Sequence, residues 1–320
     1  MSTTYSHRFI TITVLSIVVA CTLGLSGCAK NQLPPIRADI PLASGAQLSP
    51  DESRRMENLP AEEVLQRGQL ALANGDYQMA AVYFSTVLKK EPQSVPARLG
   101  LGQAALAAGD YGSARTLINE VLSVESDSVP ALTARGRILS ASGQLDGAIA
   151  DFSRSLEKEP NNSAVLTELA MTCDRIPERV VEAEPLYRKV LEFSPDSAAA
   201  RNNLGFNFLL QGRAEEAVTI LSGALALDTK NPRILANLAT AYLLKGDKAK
   251  ALQLFRQTVG EAEAYNNIGY LYMTQSRWDE AENALRKALE LSPRYYVRAA
   301  ANLERLQEMR VAARDNRSSN

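Results

Sequence analysis

Histidine and cysteine supply most nucleophilic, general-base and metal-binding chemistry, and this chain is poor in both. It has one histidine, His7, and three cysteines, Cys21, Cys28 and Cys173. If a leader is removed ahead of Cys28, His7 and Cys21 leave with it. No imidazole then remains for Ser-His-Asp or Cys-His catalysis, or for zinc or copper. A lone Cys173 cannot close an internal disulfide, and it reads as a small packing residue. The rival reading is an enzyme site around Cys173 or Glu168. Paired acids such as Glu62/Glu63 and Glu215/Glu216 are adjacent in sequence and do not converge on a pocket. Thirty-five basic against 36 acidic residues leave a net charge of -1, with no basic stripe carrying interleaved aromatics. That argues against nucleic acid as a partner. No catalytic residue, metal, cofactor or small-molecule substrate is therefore expected. What remains is amide chemistry. Asn203, Asn237 and Asn267 each stand two residues before a small Gly205, Ala239 or Gly269. A primary amide can donate to and accept from a main chain, which suits an extended peptide held without much side-chain specificity. The alternative is a purely local structural role.

These amides must be positioned by the elements around them, and those elements repeat. A small residue recurs as Gly68, Gly102, Gly136, Ala170, Gly205, Ala239 and Gly269, at gaps of 34, 34, 34, 35, 34 and 30. A second small residue runs in step as Ala80, Ala114, Ala148, Ala183, Ala217, Ala251 and Ala281. Four residues after it comes a large apolar one: Phe84, Ile118, Phe152, Tyr187, Leu221, Phe255 and Leu285. Gly75, Gly109 and Gly143 end a first helix, since glycine tolerates the left-handed conformation there. Pro92, Pro160, Pro195 and Pro293 close a second helix. The pattern resembles the tetratricopeptide repeat over residues 61–295. It implies an all-α, right-handed superhelical solenoid of about seven helix-turn-helix repeats, each burying its apolar face against its neighbours. The small residues permit close helix crossing, and the Phe84 series fills the grooves between units. In such a solenoid the three asparagines face the inner groove and stack into a ladder. The first four repeats carry Gln66, Gly100, Ala134 and Glu168 at that position, so the ladder is confined to the C-terminal half.

The chain opens with His7 and Arg8 ahead of an apolar run from Phe9 to Leu25, the pattern of an export signal. Leu25-Ser26-Gly27-Cys28 resembles the lipobox of bacterial lipoproteins. That resemblance implies removal of residues 1–27 and acylation of Cys28, and Ala29 after it implies sorting to the outer membrane. More than one acyl chain gives stable anchoring. The segment 28–60 contains Pro34, Pro35, Pro41, Pro50 and Pro60. It is read as a semi-extended tether, or with Asp51–Asn58 as a helix packed on the first repeat.

Departures from the period are informative. Ser126 stands where the second repeat would have its closing proline, and the fourth repeat has one extra residue around Arg175-Ile176-Pro177. Between the sixth and seventh repeats, Ala251 to Gly269 spans four residues fewer than the other equivalents, about one helical turn. Either the superhelical angle changes there or a loop is trimmed. Leu303, Leu306 and Met309 among charged neighbours make residues 296–320 an amphipathic capping helix with a polar tail, expected to fray from Arg314. Finally, Ala264-Tyr265-Asn266-Asn267-Ile268-Gly269-Tyr270-Leu271 and Leu291-Ser292-Pro293-Arg294-Tyr295-Tyr296-Val297-Arg298-Ala299, with the lipobox and the shortened junction, are similar to the TadD family. These are repeat lipoproteins of the tight adherence (Flp pilus) machinery. The resemblance implies a pilotin-like protein at the periplasmic side of the outer membrane, whose groove binds the outer-membrane secretin and other pilus components. The rival is a scaffold lipoprotein that gathers cell-wall hydrolases.

Overall fold

The computed structural model describes residues 49–292 and 297–318. Cys28, the proline-rich stretch to residue 48, Pro293 and the Arg294–Tyr296 part of the pilus-family resemblance lie outside the described residues. A short helix α1 (Pro50–Asn58) precedes seven antiparallel pairs: α2 (Ala61–Ala73) with α3 (Tyr77–Lys90), α4 (Val95–Ala107) with α5 (Tyr111–Val124), α6 (Val129–Ala141) with α7 (Leu145–Lys158), α8 (Ser163–Cys173) with α9 (Val180–Phe193), α10 (Ala198–Leu210) with α11 (Ala214–Leu227), α12 (Pro232–Leu244) with α13 (Lys248–Thr258), and α14 (Glu261–Thr274) with α15 (Trp278–Leu291). A long helix α16 (Val297–Ser318) closes the stack. The architecture is the expected all-helical solenoid with a C-terminal helix. α16 buries Ala299 and Leu306 against the last pair, with Leu303 and Met309 partly covered. Its helical backbone continues through Ser318, past the residue where fraying was expected to begin.

The repeated residue types have a direct packing cause. Phe84 is fully buried, and its ring lies so close to Gly68 and Gly100 that a methyl group at either would sit 2.8 or 2.4 Å from it. One side chain thus fills the space between its own first helix and that of the next repeat. Phe152 against Gly136, Leu221 against Gly205 and Leu285 against Gly269 repeat the first half of this contact. The reading as a knob between units is therefore correct for Phe84, and the other three show its contact within their own repeat. Gly75, Gly109 and Gly143 take φ of 79°, 84° and 78°, and Gly212 and Gly246 end their helices in the same way. Closing prolines are dispensable. α5 stops at Val124 without one, and the Glu125 amide bonds the Val121 carbonyl as the Glu91 amide bonds Val87. Where the prolines do occur, their carbonyls have a further use. Arg98, fully buried, donates from Nη2 to the Pro92 carbonyl at 2.8 Å and pairs through Nη1 with Glu120 at 2.9 Å. Arg201 does the same to the Pro195 carbonyl at 2.9 Å.

Three departures from the period resolve as follows. The helical reading describes Pro50–Asn58, so the tether does not extend to residue 60. Met56 is buried in the first-repeat core, its Sδ accepts from Thr86 Oγ1 at 3.3 Å, and Lys90 Nζ donates to the Leu59 carbonyl at 2.5 Å. Pro177 opens a single 3-10 turn, Pro177–Arg179, that leads into α9. At the sixth junction more than a loop is trimmed. α13 has 11 residues where the other second helices have 14, and residues 259–260 form the whole connection. The shortened α13 makes a smaller contact with α14 than the longer second helices make with the helices that follow them.

The Phe84 contact predicts a sign. Replacing Gly100 by alanine improves helix propensity by about 1 kcal/mol, yet overpacking of this kind costs about 1–3 kcal/mol. Gly100→Ala should lower the urea midpoint, and adding Phe84→Leu should recover part of the loss.

Candidate protein-binding groove

The first helices of the pairs line one side of the solenoid. A depression of about 570 Å³ there is bounded by Leu72, Gln103, Leu106, Pro130, Thr133 and Arg137, with Ala164 and Val165 at its end. Gln103 and Arg137 are the residues immediately after the small glycines Gly102 and Gly136. By the same register Met171, Phe206, Thr240 and Tyr270 follow on this face. Met171, Phe206 and Tyr270 are 50, 42 and 44% exposed, and Leu210 and Leu244 near the ends of α10 and α12 are exposed as well. Burying an apolar side chain of this size contributes about 1.5–3 kcal/mol, so an uncovered row of them is a surface suited to a partner. This apolar row was not anticipated from the sequence. The signal was there, in large apolar residues directly after Ala170, Gly205 and Gly269, but in an amphipathic helix such residues read as core.

Asn203, Asn237 and Asn267 are each half-buried, and they do not form one continuous ladder. Asn237 Nδ2 donates to Asn202 Oδ1 at 2.9 Å, across the contact between neighbouring first helices. One further along, Asn302 Nδ2 of α16 donates to Asn266 Oδ1 at 2.9 Å, and Asn266 Nδ2 reaches Asn267 Oδ1 at 3.5 Å. The pairs therefore join residues offset by one position, and Asn202, Asn266 and Asn302 are members that the sequence reading did not single out. At the sixth junction the row is interrupted, because Ala236 occupies the place where Asn202 and Asn266 stand in their repeats. Why these amides lie between repeats follows from Gly100, which shares their position and touches Phe84 of the preceding unit. Asn237 thus spends its donor on the scaffold. Among the described residues Asn203 makes no such bond.

Beside the groove, the fourth turn holds a buried polar network. Asp174 accepts from Tyr187 Oη at 2.8 Å and from Asn207 Nδ2 at 2.6 Å, and Asn207 Nδ2 also reaches the Val180 carbonyl at 2.8 Å. Burial pushes the Asp174 carboxyl above its ordinary 3.8, although both hydrogen bonds favour the charged form. Burial also raises the Tyr187 hydroxyl and the Cys173 thiol. Cys173 is 1% exposed within the core cluster that contains Tyr187 and Phe208, as expected of a packing residue. Arg175 reaches back to the third repeat, donating to the Ser140 carbonyl at 2.7 Å. Glu168 is engaged by Arg137 at 2.7 Å. Among the described residues, no three of His, Cys, Asp or Glu group where they could hold a metal ion.

Comparison with known proteins gives the same architecture. Tetratricopeptide-repeat family profiles match residues 71–138, 133–198, 177–232, 208–271 and 262–295. A tetratricopeptide repeat protein from Parabacteroides merdae ATCC 43184 superposes with a TM-score of 0.55 at 18% identity, over 77% of this chain and 98% of that one. That likeness concerns the fold. Among curated proteins, the BBSome complex member bbs-4 of Caenorhabditis elegans is 25% identical over 114 residues, 34% of this chain and 25% of that protein. Protein O-mannosyl-transferase TMTC1 of Homo sapiens is 29% identical over 116 residues, 35% of this chain and 13% of that protein. The matched region spans a quarter or less of these relatives.

The Asp174 network makes a pH prediction. An acid whose folded pKa is raised stabilises most when protonated, below its unfolded value of 3.8, and that contribution is lost as pH rises through the folded value. Asp174→Asn removes this titration. The stability of the natural chain relative to the variant should therefore decline as pH rises above the ordinary carboxyl value of 3.8 in urea titrations. A constant difference would mean that burial does not hold the carboxyl above its ordinary range.

Proposed function

The chain belongs to the tetratricopeptide-repeat proteins, and from that premise we propose that it is a membrane-anchored assembly factor whose inner groove captures a segment of another protein. The repeats form a scaffold for binding proteins. The observation that carries the reading is the uncovered apolar row Met171, Phe206 and Tyr270 on the inner face. A catalytic role draws no support from this site, whose titratable groups are paired or engaged in the scaffold, as with Glu168 on Arg137 and Asp174 on Tyr187.

Anchoring is supported by Leu25-Ser26-Gly27-Cys28, the lipobox-like stretch. Attachment through lipid on Cys28 is the reading adopted on the strength of that stretch. Placement at the periplasmic face of the outer membrane and a pilotin-like role toward a secretin of a tight adherence system rest on the pilus-family resemblance of 264–271 and 291–299. In this reading the lipid holds the solenoid at the membrane. The groove then shields an apolar segment of the secretin until it inserts or assembles.

Two outcomes check this. Cys28→Ser should abolish incorporation of radiolabelled palmitate and move the protein out of the membrane fraction. A photoreactive residue at Met171 in the natural host should crosslink chiefly to a secretin. Crosslinks to cell-wall hydrolases instead would favour the scaffold reading and remove the pilotin role.

A further inference from the structure

We propose that Asp174 is a proton-operated latch between the fourth and fifth repeats. Protonated, it keeps the fourth turn closed on α9 and α10; ionised, it releases residues 174–179 toward water. The backbone of this turn is held differently from the others. Among the described residues, six of the seven turns within repeats close with an amide that reaches back five residues. Asp76 bonds the Ala71 carbonyl in this way at 2.9 Å, and Arg213 that of Phe208 at 2.8 Å. The fourth turn relies on shorter loops, from the Ile176 amide to Cys173 at 3.0 Å and from Arg179 to Ile176 at 2.8 Å. It also contains the single 3-10 turn Pro177–Arg179, a form with poorer hydrogen-bond geometry than the α-helix. Side chains from other elements supply the rest of its support.

Those side chains converge on one carboxyl. Asp174, at the end of α8, accepts from Tyr187 of α9 at 2.8 Å and from Asn207 of α10 at 2.6 Å. Asn207 is fully buried; it also donates to the Val180 carbonyl at the start of α9 and accepts from Gln211 at 2.6 Å. The charged groups nearby are spent elsewhere. Arg175 donates to Ser140 of the third repeat. Arg179 pairs with Glu182 at 3.0 Å and Asp146 at 3.9 Å, and Arg213 with Glu184 and Glu216. Burial raises the Cys173 thiol and the Tyr187 hydroxyl, so neither adds charge. Among the described residues, Asp174 therefore has two neutral donors and no ion-pair partner. Two such bonds do not replace the hydration of a full charge. Ionisation thus favours the conformation that returns the group to water, which is the opened turn. The latch joins α8, which carries Met171, to α10, which carries Phe206, so its state governs how these inner-face residues are held relative to each other. It does not depend on which partner the groove takes.

The test is hydrogen exchange of the full chain, read by mass spectrometry over residues 174–182 and divided at each pH by the intrinsic exchange rate. Corrected exchange should accelerate as pH rises above the ordinary carboxyl value of 3.8. The gain should be about tenfold for each pH unit over which the buried carboxyl resists ionisation. Amides of α4 and α5 serve as the internal reference and should show no such rise; their protection also reports that each variant is folded. Asp174→Asn keeps the shape and removes the titration, so its corrected rates should be flat with pH. Tyr187→Phe removes a donor that supports the ionised form in the closed turn, and should steepen the response. Flat corrected rates in the natural chain overturn the inference. So does the same rise in Asp174→Asn, or a flatter response in Tyr187→Phe. An equal rise in α4 and α5 overturns it as well, since the whole array and not the turn would then be responding.

Discussion

Everything in this solenoid depends on a large side chain entering the space left by a missing one. Phe84 is held between Gly68 of its own repeat and Gly100 of the next. A helix pair alone would leave that ring half in water. Stacking is therefore how each unit buries its second apolar face, and the period of 34 keeps the faces in register. The same contact sets the limit on variation, because a methyl group at either glycine would have to displace an aromatic ring with nowhere to go.

Once stacking is fixed, the inner face is free of structural duty, and this is where the repeats differ most. The residue after the small one changes from Gln103 and Arg137 to Met171, Phe206, Thr240 and Tyr270 along the chain. The polar groups flanking this row are largely spent on the scaffold, as the Asn237–Asn202 and Arg137–Glu168 contacts show. What stays exposed there is the apolar surface of Met171, Phe206 and Tyr270 together with the cations Arg175 and Arg233.

How much of this could be read from the sequence follows from the kind of interaction involved. The small and bulky residues were legible because close packing constrains residue size, and the constraint recurs seven times. The turn glycines were legible because only one residue type takes a positive φ without strain. The asparagine partners were not. The bond from Asn237 goes to Asn202 rather than Asn203 because neighbouring helices are offset by about one residue, and offset is a property of packing that no repeat count reveals. α1 was ambiguous for a different reason: nine residues flanked by prolines have little helical tendency of their own, and Met56 settles the matter only through its contacts with the first repeat. The apolar row went unnoticed, since exposure distinguishes it from core and exposure is not written in residue type.

The abbreviated α13 has a consequence for how the molecule holds together under load. In a linear array, each unit feels the rest only through its neighbour, so cooperativity passes along the stack as far as every successive interface can transmit it. The junction at residues 259–260 is a two-residue connection behind a shortened helix, yet Leu243 and Phe255 on one side and Ala264 and Ile268 on the other share one apolar cluster. Cooperativity crosses it through side-chain packing rather than through length of helix contact, and the last repeat with its closing helix stays coupled to the array by these few residues.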